Sequence, residues 1–147
     1  MYRKRAGDVE VFLVHPGGPF WVKKDLGAWS IPKGEYEAEE DPLAAAKREF
    51  HEETGFTVEG DFHPLEPVKQ PSGKVVAAWT VEGDCDCASI KSNTFSMEWP
   101  PRSGRKREFP EIDRAEWFSI GDAKKRILKG QIGLLEQLEL LLELKKK

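Results

Sequence analysis

Three glutamates close to the end of a short helical segment are the side chains of this sequence best suited to chemistry. Glu49, Glu52 and Glu53 are spaced i, i+3 and i+4, which places them on one face of a helix. Like charges at these spacings repel by roughly 0.2–0.5 kcal/mol per pair. Each also lies at the negative end of the helix dipole, at a cost of about 0.3–1 kcal/mol. A bound cation would offset these costs, so the pattern predicts a metal site.

The segment around these glutamates carries signals for both ends of a helix. Asp41 is suited to cap the first turn, Pro42 to be the first helical residue and Gly55 to stop the helix. A mostly apolar face recurs at helical spacing: Leu43, Ala46, Phe50 and Thr54. The sequence therefore predicts a helix over 42–54 that packs one face on a core and presents the glutamates on another.

The remaining segments alternate between strand and helix patterns. A β-branched, apolar run at 9–14 predicts a buried strand, and the long polar stretch at 82–111 predicts a loop. Further short strands are predicted at 56–58, 67–69, 75–81 and 115–118, and further helices at 121–128 and 133–144. With no internal repeat or second-domain boundary visible, residues 1–147 are expected to form one domain.

The composition is typical of a globular protein with a well-solvated surface. Of 147 residues, 39% are hydrophobic and 33% charged, and the net charge of −3 argues against nucleic acid as a partner. No apolar stretch is long enough to cross a bilayer, and no signal peptide is expected, which argues against a membrane partner. Cys85 and Cys87 are poorly spaced for a mutual disulfide and form no Cys-x-x-Cys motif. Two unpaired thiols favour a cytoplasmic location.

The spacing of residues from Gly34 to Phe56 resembles the Nudix box. That motif reads Gly, five residues, Glu, seven residues, Arg-Glu, an apolar residue, any residue, Glu-Glu, any residue, Gly and an apolar residue. Its positions are filled, with every spacing intact, by Gly34, Glu40, Arg48, Glu49, Phe50, Glu52, Glu53, Gly55 and Phe56. Phenylalanine stands at both apolar positions, where the family prefers aliphatic residues, and this difference affects packing more than chemistry.

The resemblance implies a fold and a reaction. The implied fold is of the α/β class, an α/β/α sandwich in which a mixed sheet lies between helices. The implied activity is that of a pyrophosphohydrolase, which hydrolyses a nucleoside diphosphate linked to another group and uses Mg²⁺ or Mn²⁺ as its cofactor. The expected partner is a small-molecule nucleotide substrate.

The resemblance also implies which residues form the site. Glu49, Glu52 and Glu53 are implied as metal ligands or as the adjacent base, and the carbonyl of Gly34 as a further metal ligand. Mg²⁺ prefers a few carboxylates together with waters and phosphate oxygens, which suits this set. Arg48 is expected to pair with a glutamate of the box and to fix its rotamer.

A further catalytic candidate is Glu111, six residues before Trp117. Relatives often carry an extra metal-binding or catalytic glutamate ahead of the last strand. The general base is therefore left open among Glu49, Glu53 and Glu111. A solvated loop acid is an equally good interpretation of Glu111 from the sequence.

The segment from Trp29 to Gly34, Trp-Ser-Ile-Pro-Lys-Gly, resembles the Trp-x-x-Pro-Lys-Gly segment of dinucleoside polyphosphate and inositol polyphosphate hydrolases. Lys33 and Trp29 are therefore candidate substrate-binding residues, and Lys23 could extend a phosphate-binding track. The basic run at 102–107 is more consistent with surface charge, with a phosphate track as the alternative.

Aromatic residues outside the core could stack on a nucleobase. Phe95 and Trp99 lie in the long polar stretch and are candidates for this role. The other tryptophans considered, Trp21, Trp79 and Trp117, are expected in the core because their neighbours resemble strands. His15, with no partner at metal-ligand spacing, is expected to have no chemical role.

The N-terminus departs from the family pattern. Relatives usually open with a strand that pairs with the next one, whereas only five residues precede the turn at Ala6 to Asp8. Either the opening strand is nearly absent or the true start lies upstream. A shortened edge would leave a neighbouring strand unpaired and favour a homodimer.

Three functions are compatible with these features. The leading hypothesis is hydrolysis of a dinucleoside polyphosphate. The first alternative is a nucleotide-pool enzyme that splits modified nucleoside triphosphates into monophosphate and pyrophosphate. The second is a Nudix-fold module that binds nucleotide or RNA without turnover, although such a module has no reason to keep a costly cluster of carboxylates.

Overall fold

The structure, a computed structural model, describes residues 1–32 and 40–146 of the chain. Its α-helices are α1 (Pro42–Thr54), α2 (Ile120–Arg126) and α3 (Ile132–Lys146). Its strands are β1 (Tyr2–Arg5), β2 (Asp8–Pro16), β3 (His63–Pro64), β4 (Val68–Lys69), β5 (Val75–Val76), β6 (Trp79–Thr80), β7 (Thr94–Glu98), β8 (Lys106–Pro110) and β9 (Ile112–Ser119). Short 3₁₀ turns lie at Cys87–Ser89 and Lys129–Gln131.

The centre of the fold is an antiparallel sheet in the order β1-β2-β9. Val11 of β2 lies opposite Tyr2 of β1 on one side and Phe118 of β9 on the other. Beyond the end of β1, Ser30 continues the pairing, since its backbone exchanges hydrogen bonds of 2.9 and 3.0 Å with Val14. Strand β2 is therefore paired along both of its edges.

One face of the sheet packs against α1. Phe12 and Val14 of β2 form a buried cluster there with Phe50 of α1 and with Ile112 and Ala115 of β9. The rings of Phe12 and Phe50 lie 5.8 Å apart between centroids. This contact fixes α1 on the sheet and so sets the position of the glutamates that α1 carries.

The other face of the sheet packs against α2 and α3. Val11 and Leu13 alternate with the residues that face α1, and they pack in a second cluster with Trp29, Phe118 and Leu138. The rings of Trp29 and Phe118 lie 4.9 Å apart in an edge-to-face arrangement. The near-continuous apolar run of β2 is thus explained by burial on both faces.

Helices on both faces of the sheet make an α/β/α sandwich, so the predicted fold class is confirmed. The pairing between named strands is antiparallel, and parallel bridges at Tyr2–Glu82 and Trp29–Ile127 give the arrangement its mixed character. Within the part of the chain that the structure describes, no helix is both long and apolar enough to span a membrane.

The predicted loop at 82–111 is wrong, because this stretch contains a hairpin. Strands β7 and β8 pair antiparallel over their whole lengths. Phe95 and Met97 alternate with polar neighbours, a strand pattern that the high polarity of the segment concealed. The predicted strand at 56–58 is also wrong, since these residues have no strand pairing.

The N-terminus differs from expectation as well. Strand β1 pairs with β2 from Tyr2 to Arg5, and the N–H of Tyr2 donates to the carbonyl of Val81 at 3.0 Å. The opening strand is short but present, and it leaves β2 with no unpaired edge. The edge expected to pair with a second copy is therefore not free. The homodimer stays a prediction.

A close contact at Gly17 joins the loop after β2 (residues 17–27) to the start of β9. The N–H of Gly17 donates to the carbonyl of Glu111 at 2.8 Å. A Cβ atom at Gly17 would lie 2.0 Å from the carbonyl oxygen of Pro110, far inside contact distance. Only glycine allows this approach of two backbones.

We predict that Gly17→Ala destabilises the protein by about 1–3 kcal/mol, the usual cost of overpacking. Gly121→Ala is the matched control, because a Cβ there meets no atom within 4 Å and alanine favours the helix. Chemical denaturation of both variants measures the effect. Equal stability of Gly17→Ala and the unsubstituted protein would contradict the contact.

Candidate functional site

Helix α1 has the limits that the sequence predicts, because both of its ends are capped. The Asp41 side chain accepts a hydrogen bond from the N–H of Ala44 at 2.9 Å. Gly55 ends the helix in the left-handed conformation, with φ of 82°, and its N–H donates to the carbonyl of His51. These caps place Glu49, Glu52 and Glu53 in the last turns of the helix.

The guanidinium of Arg48 gathers several of the carboxylates around this helix end. Its Nε and Nη2 donate to the two oxygens of Glu40 at 3.0 and 3.1 Å. Its Nη1 donates to Glu49 at 3.0 Å and to Glu52 at 3.2 Å. The hydrogen bonds to Glu40 and Glu52 raise the pKa of Arg48. Arg48 thus pairs with glutamates of the motif, the role that the sequence analysis expects.

The environment of Glu49 disfavours its negative charge. Burial raises the pKa of the Glu49 carboxyl, and the neighbouring charge of Glu52 raises it further. Glu111 contributes a smaller rise, so this loop carboxylate lies close enough to interact with the helix. Contacts with Arg48 oppose these effects without cancelling them. These surroundings therefore favour the protonated form of Glu49 more than water does.

The acidic side chains fit a hard divalent cation by their chemistry, although they are not preassembled around one. Among the described residues, no three His, Cys, Asp or Glu side chains form a group that could already hold an ion. Instead, Nη1 of Arg48 contacts both Glu49 and Glu52. Carboxylate oxygens are the ligands that Mg²⁺ prefers. Metal binding here would turn Glu49 and Glu52 away from the guanidinium.

A chain of backbone hydrogen bonds fixes Glu111 beside this helix end. The N–H of Asn93 donates to the carbonyl of Glu52 at 3.0 Å, and the N–H of Glu111 donates to the carbonyl of Asn93 at 2.8 Å. Gly17 then donates to the carbonyl of Glu111. Glu111 was predicted from the sequence as a site residue, whereas Asn93 and Gly17 were not. Both contribute backbone hydrogen bonds, which the type of a side chain does not reveal.

Two of the predicted site residues, Lys33 and Gly34, lie outside the described residues. Lys23 lies in the loop 17–27 and is exposed. His15 anchors this loop: its Nδ1 lies 2.8 Å from the Asp113 carboxylate and its Nε2 lies 2.6 Å from the carbonyl of Lys24.

The contacts of His15 are structural. The side chain is fully buried and joins β2, β9 and the loop 17–27. A lone histidine at the end of an apolar strand gives no sign of such contacts, because Asp113 lies 98 positions away in the sequence. Its role in the structure is to hold the loop that carries Lys23.

Trp29 does not have the position expected of a substrate-binding residue. Its side chain is buried, at 1% exposure, in the cluster between the sheet and α3. Its indole N–H donates to Asp25 at 2.8 Å, and its ring lies 5.1 Å from that of His15. Trp29 therefore supports the site by packing, and its ring is closed to a nucleobase.

Phe95 and Trp99, the candidates for base stacking, lie on and next to the β7–β8 hairpin and are half-buried. The ring of Trp99 lies 5.5 Å from that of Phe20, which is 59% exposed. The sequence analysis missed Phe20. Trp21, Trp79 and Trp117, expected in the core, are also half-buried.

A mostly apolar cavity of about 610 Å³ lies between the N-terminal half of α1, strand β2 and residues 62–81. Its lining includes the aromatic residues Tyr2, Phe12, Phe50, Phe62 and Trp79. Its polar lining residues include Lys47, Gln70, Lys74 and Thr80. Aromatic walls with a few polar groups are typical of small-molecule sites.

The cysteines are not chemically active in this arrangement. Cys85 and Cys87 are unpaired and half-buried. Burial raises the pKa of the Cys85 thiol to about 12 and also raises that of Cys87. Because the thiolate is the reactive form, these raised pKa values disfavour a nucleophilic role for either side chain at neutral pH.

Solved structures with the same fold share a quarter of their residues or less with this chain. The C. elegans Ap4A hydrolase in a binary complex is 24% identical with a TM-score of 0.65, over 97% of this chain and 93% of that one. The NUDIX domain of Shewanella oneidensis NrtR, complexed with ADP ribose, is 16% identical with a TM-score of 0.61, over 96% and 82%. The E. coli ORF135 protein is 21% identical with a TM-score of 0.56, over 95% and 85%.

Comparison with protein families identifies the family of this chain. A search of the curated proteins gives no match. A family model of the NUDIX domain matches residues 3–138, a span that includes α1, the hairpin and Glu111. The match confirms the resemblance seen in the sequence and, at the level of the family, the predicted Nudix-type pyrophosphohydrolase. The chain belongs to the NUDIX domain family.

Proposed function

We propose that the protein hydrolyses a phosphoanhydride bond in a nucleoside diphosphate-linked compound, and that the preferred substrate is a dinucleoside polyphosphate. The observation that carries this proposal is the partly buried acidic group at the end of α1, where Glu49 and Glu52 share Arg48 and Glu111 faces them. Polyphosphates and divalent cations are natural partners for such a group. The unpaired thiols suit a reducing compartment such as the cytoplasm.

Glu49, Glu52 and Glu53 would hold Mg²⁺ or Mn²⁺, with the carbonyl of Gly34 as a further ligand. The bound ion would supply a more acidic water and charge neutralisation at the bridging phosphates. Arg48 would retain Glu40 through its bidentate contact while Glu49 and Glu52 turn to the ion. It would thus keep the helix end ordered in both states.

The chemical step requires a base and a leaving group. A water attacks one phosphorus and gives a proton to a carboxylate, while the bridging P–O bond breaks and its electrons leave with the departing phosphate. Glu49, Glu53 and Glu111 remain the candidates for this base. The raised pKa of Glu49 suits a proton acceptor that must later release the proton. The backbone contacts of Glu111 with Asn93 and Gly17 hold the alternative base in place.

Several features support a dinucleoside polyphosphate. The Trp-x-x-Pro-Lys-Gly segment ending at Gly34 resembles that of enzymes acting on such compounds, and one structural neighbour is named an Ap4A hydrolase. The cavity beside α1 has the size and aromatic lining to receive a nucleoside. Lys33 and Lys23 would contact the phosphates as mobile charges.

Two alternatives remain as outcomes of experiment. One is pyrophosphate release from a modified nucleoside triphosphate. The other is binding without turnover, which gains interest because the NUDIX domain of NrtR was solved with ADP ribose bound. The retained glutamates of α1 favour catalysis over binding alone. Their mutual repulsion costs stability, and a module that only binds nucleotide would gain nothing from that cost.

We predict phosphoanhydride hydrolysis from a nucleotide panel with Mg²⁺ or Mn²⁺ and none with EDTA. Glu53→Gln should lower activity by at least about a hundredfold with folding preserved, because a metal ligand or proton acceptor is lost. Glu136→Gln, an exposed change on α3, is the matched control and should retain activity. Nucleotide binding with no turnover anywhere in the panel would favour the binding module, and full activity in Glu53→Gln would contradict the site.

A second prediction concerns stability. Because the pKa of Glu49 is raised on folding, ionisation of this carboxyl lowers stability as the pH rises above its ordinary value of 4.5. Without metal, Glu49→Gln should therefore unfold at an equal or higher temperature than the unsubstituted protein at pH 7, and the difference should vanish near pH 4. Millimolar Mg²⁺ should stabilise the unsubstituted protein more than this variant.

Thermal unfolding with and without metal at both pH values checks these effects. Glu136→Gln again serves as the control, and its response to Mg²⁺ should match that of the unsubstituted protein. Either of two results would contradict this prediction. One is a metal-free Glu49→Gln variant that is less stable than the unsubstituted protein at pH 7. The other is a Glu49→Gln variant that Mg²⁺ stabilises as much as it stabilises the unsubstituted protein.

A further inference from the structure

One face of the β7–β8 hairpin combines aromatic rings with an arginine. Phe95 and Met97 of β7 lie opposite Phe109 and Arg107 of β8, so these residues share a face. The rings of Phe95 and Phe109 lie 5.9 Å apart, and the Arg107 guanidinium lies 5.6 Å from the centre of the Phe109 ring. We call this the aromatic–arginine face.

The opposite face of the hairpin is polar and carries charges of both signs. It carries Thr94, Ser96, Glu98, Lys106 and Glu108. Lys106 lies directly opposite Glu98, so its charge is met by an acid across the strands. The paired positions of the aromatic–arginine face carry no acidic residue, and Arg107 is the one charged residue among them.

The loop 17–27 extends the aromatic–arginine face. Phe20 meets Trp99, the residue after β7, with ring centroids 5.5 Å apart and planes at 86°. Gly18 lies against the Phe95 ring, since a Cβ atom there would come within 2.9 Å of it. Phe20 remains 59% exposed and Trp99 half-buried, so these rings present surface to which a base could stack.

The hairpin starts at the acidic site. Asn93, just before β7, donates to the carbonyl of Glu52, and Glu111, just after β8, donates to the carbonyl of Asn93. At roughly 3.3 Å per residue, each strand of the hairpin extends about 15 Å from these backbone contacts. The base of the hairpin that carries the aromatic–arginine face thus contacts the end of the helix whose glutamates would hold the phosphates.

Three features follow one another along α1, a helix about 20 Å long. The cavity meets the N-terminal part of the helix, from Pro42 to Phe50. Glu49, Glu52 and Glu53 follow in its last turns, and the base of the hairpin contacts its end at Glu52. A polyphosphate lying over the carboxylates would therefore have a nucleoside site at each end.

We propose that the aromatic–arginine face binds the second nucleoside of a dinucleoside polyphosphate. The base would stack on Phe20 or Trp99, and Arg107 would contribute a cation–π contact, because a guanidinium is attracted to the face of an aromatic ring. The positive face also complements a negatively charged substrate. This inference rests on the proposed function, since it assigns a role to the far end of that substrate.

The test compares a dinucleoside tetraphosphate with the mononucleoside tetraphosphate of the same base, which lacks only the second nucleoside. Phe20→Ala and Arg107→Ala should each lower the ratio of kcat/KM for the dinucleoside to kcat/KM for the mononucleoside by about tenfold. Lys106→Ala removes a cation from the opposite face of the same hairpin and should retain the ratio of the unsubstituted protein. An unchanged ratio in both test variants, or an equal fall in Lys106→Ala, would overturn the proposal.

A separate arm distinguishes failure of this inference from failure of the proposed function. If neither tetraphosphate is hydrolysed, the proposed function fails, and equilibrium binding of the same two nucleotides then tests the face. The aromatic–arginine face would be supported as the second nucleoside site if the dinucleoside binds about tenfold more tightly than the mononucleoside. This difference should be lost in Phe20→Ala and kept in Lys106→Ala. Equal affinity for the two nucleotides, or tighter binding of a single-stranded oligoribonucleotide than of either, would overturn it.

Discussion

The repulsion among carboxylates at the C-terminal end of α1 is the constraint on which the site depends. Glu49 and Glu52 lie where the helix dipole and their mutual charge both oppose them, and burial raises the pKa of Glu49. Arg48 offsets part of this cost and leaves the rest. A protein gains nothing in stability from such an arrangement, which supports the proposal that the group binds a cation and the phosphates that accompany it.

The surrounding structure holds this unfavourable group in place from several directions. Phe50 fixes α1 to the sheet from the opposite side of the helix. Asn93 links the carbonyl of Glu52 to the N–H of Glu111, so the hairpin and the loop carboxylate cannot move independently of the helix. His15 in turn holds the loop after β2. Rigid backbone contacts thus position side chains whose own charges would separate them.

The sequence was sufficient to predict the parts of the fold that depend on local signals. The limits of α1 follow from its caps at Asp41 and Gly55, and the buried strand β2 follows from its apolar run. The spacing of the glutamates predicted a metal site, and the reaction class was implied by the resemblance of residues 34–56 to the Nudix box. Contacts between distant segments could not be predicted from the sequence. The burial of Trp29 depends on α3, and the role of His15 depends on a carboxylate 98 positions away. The hairpin was missed because its strands are mostly exposed and polar.

A crystal structure with Mn²⁺ and a non-hydrolysable dinucleoside tetraphosphate would show whether the glutamates of α1 bind a metal ion. Anomalous diffraction locates the ion without reference to any assumed ligand. We predict an anomalous peak for manganese within bonding distance of carboxylate oxygens of Glu49, Glu52 and Glu53 and of phosphate oxygens. Glu49 and Glu52 should then be turned away from Arg48. A nucleotide bound while Arg48 still joins Glu49 to Glu52, with no manganese among the glutamates, would contradict it.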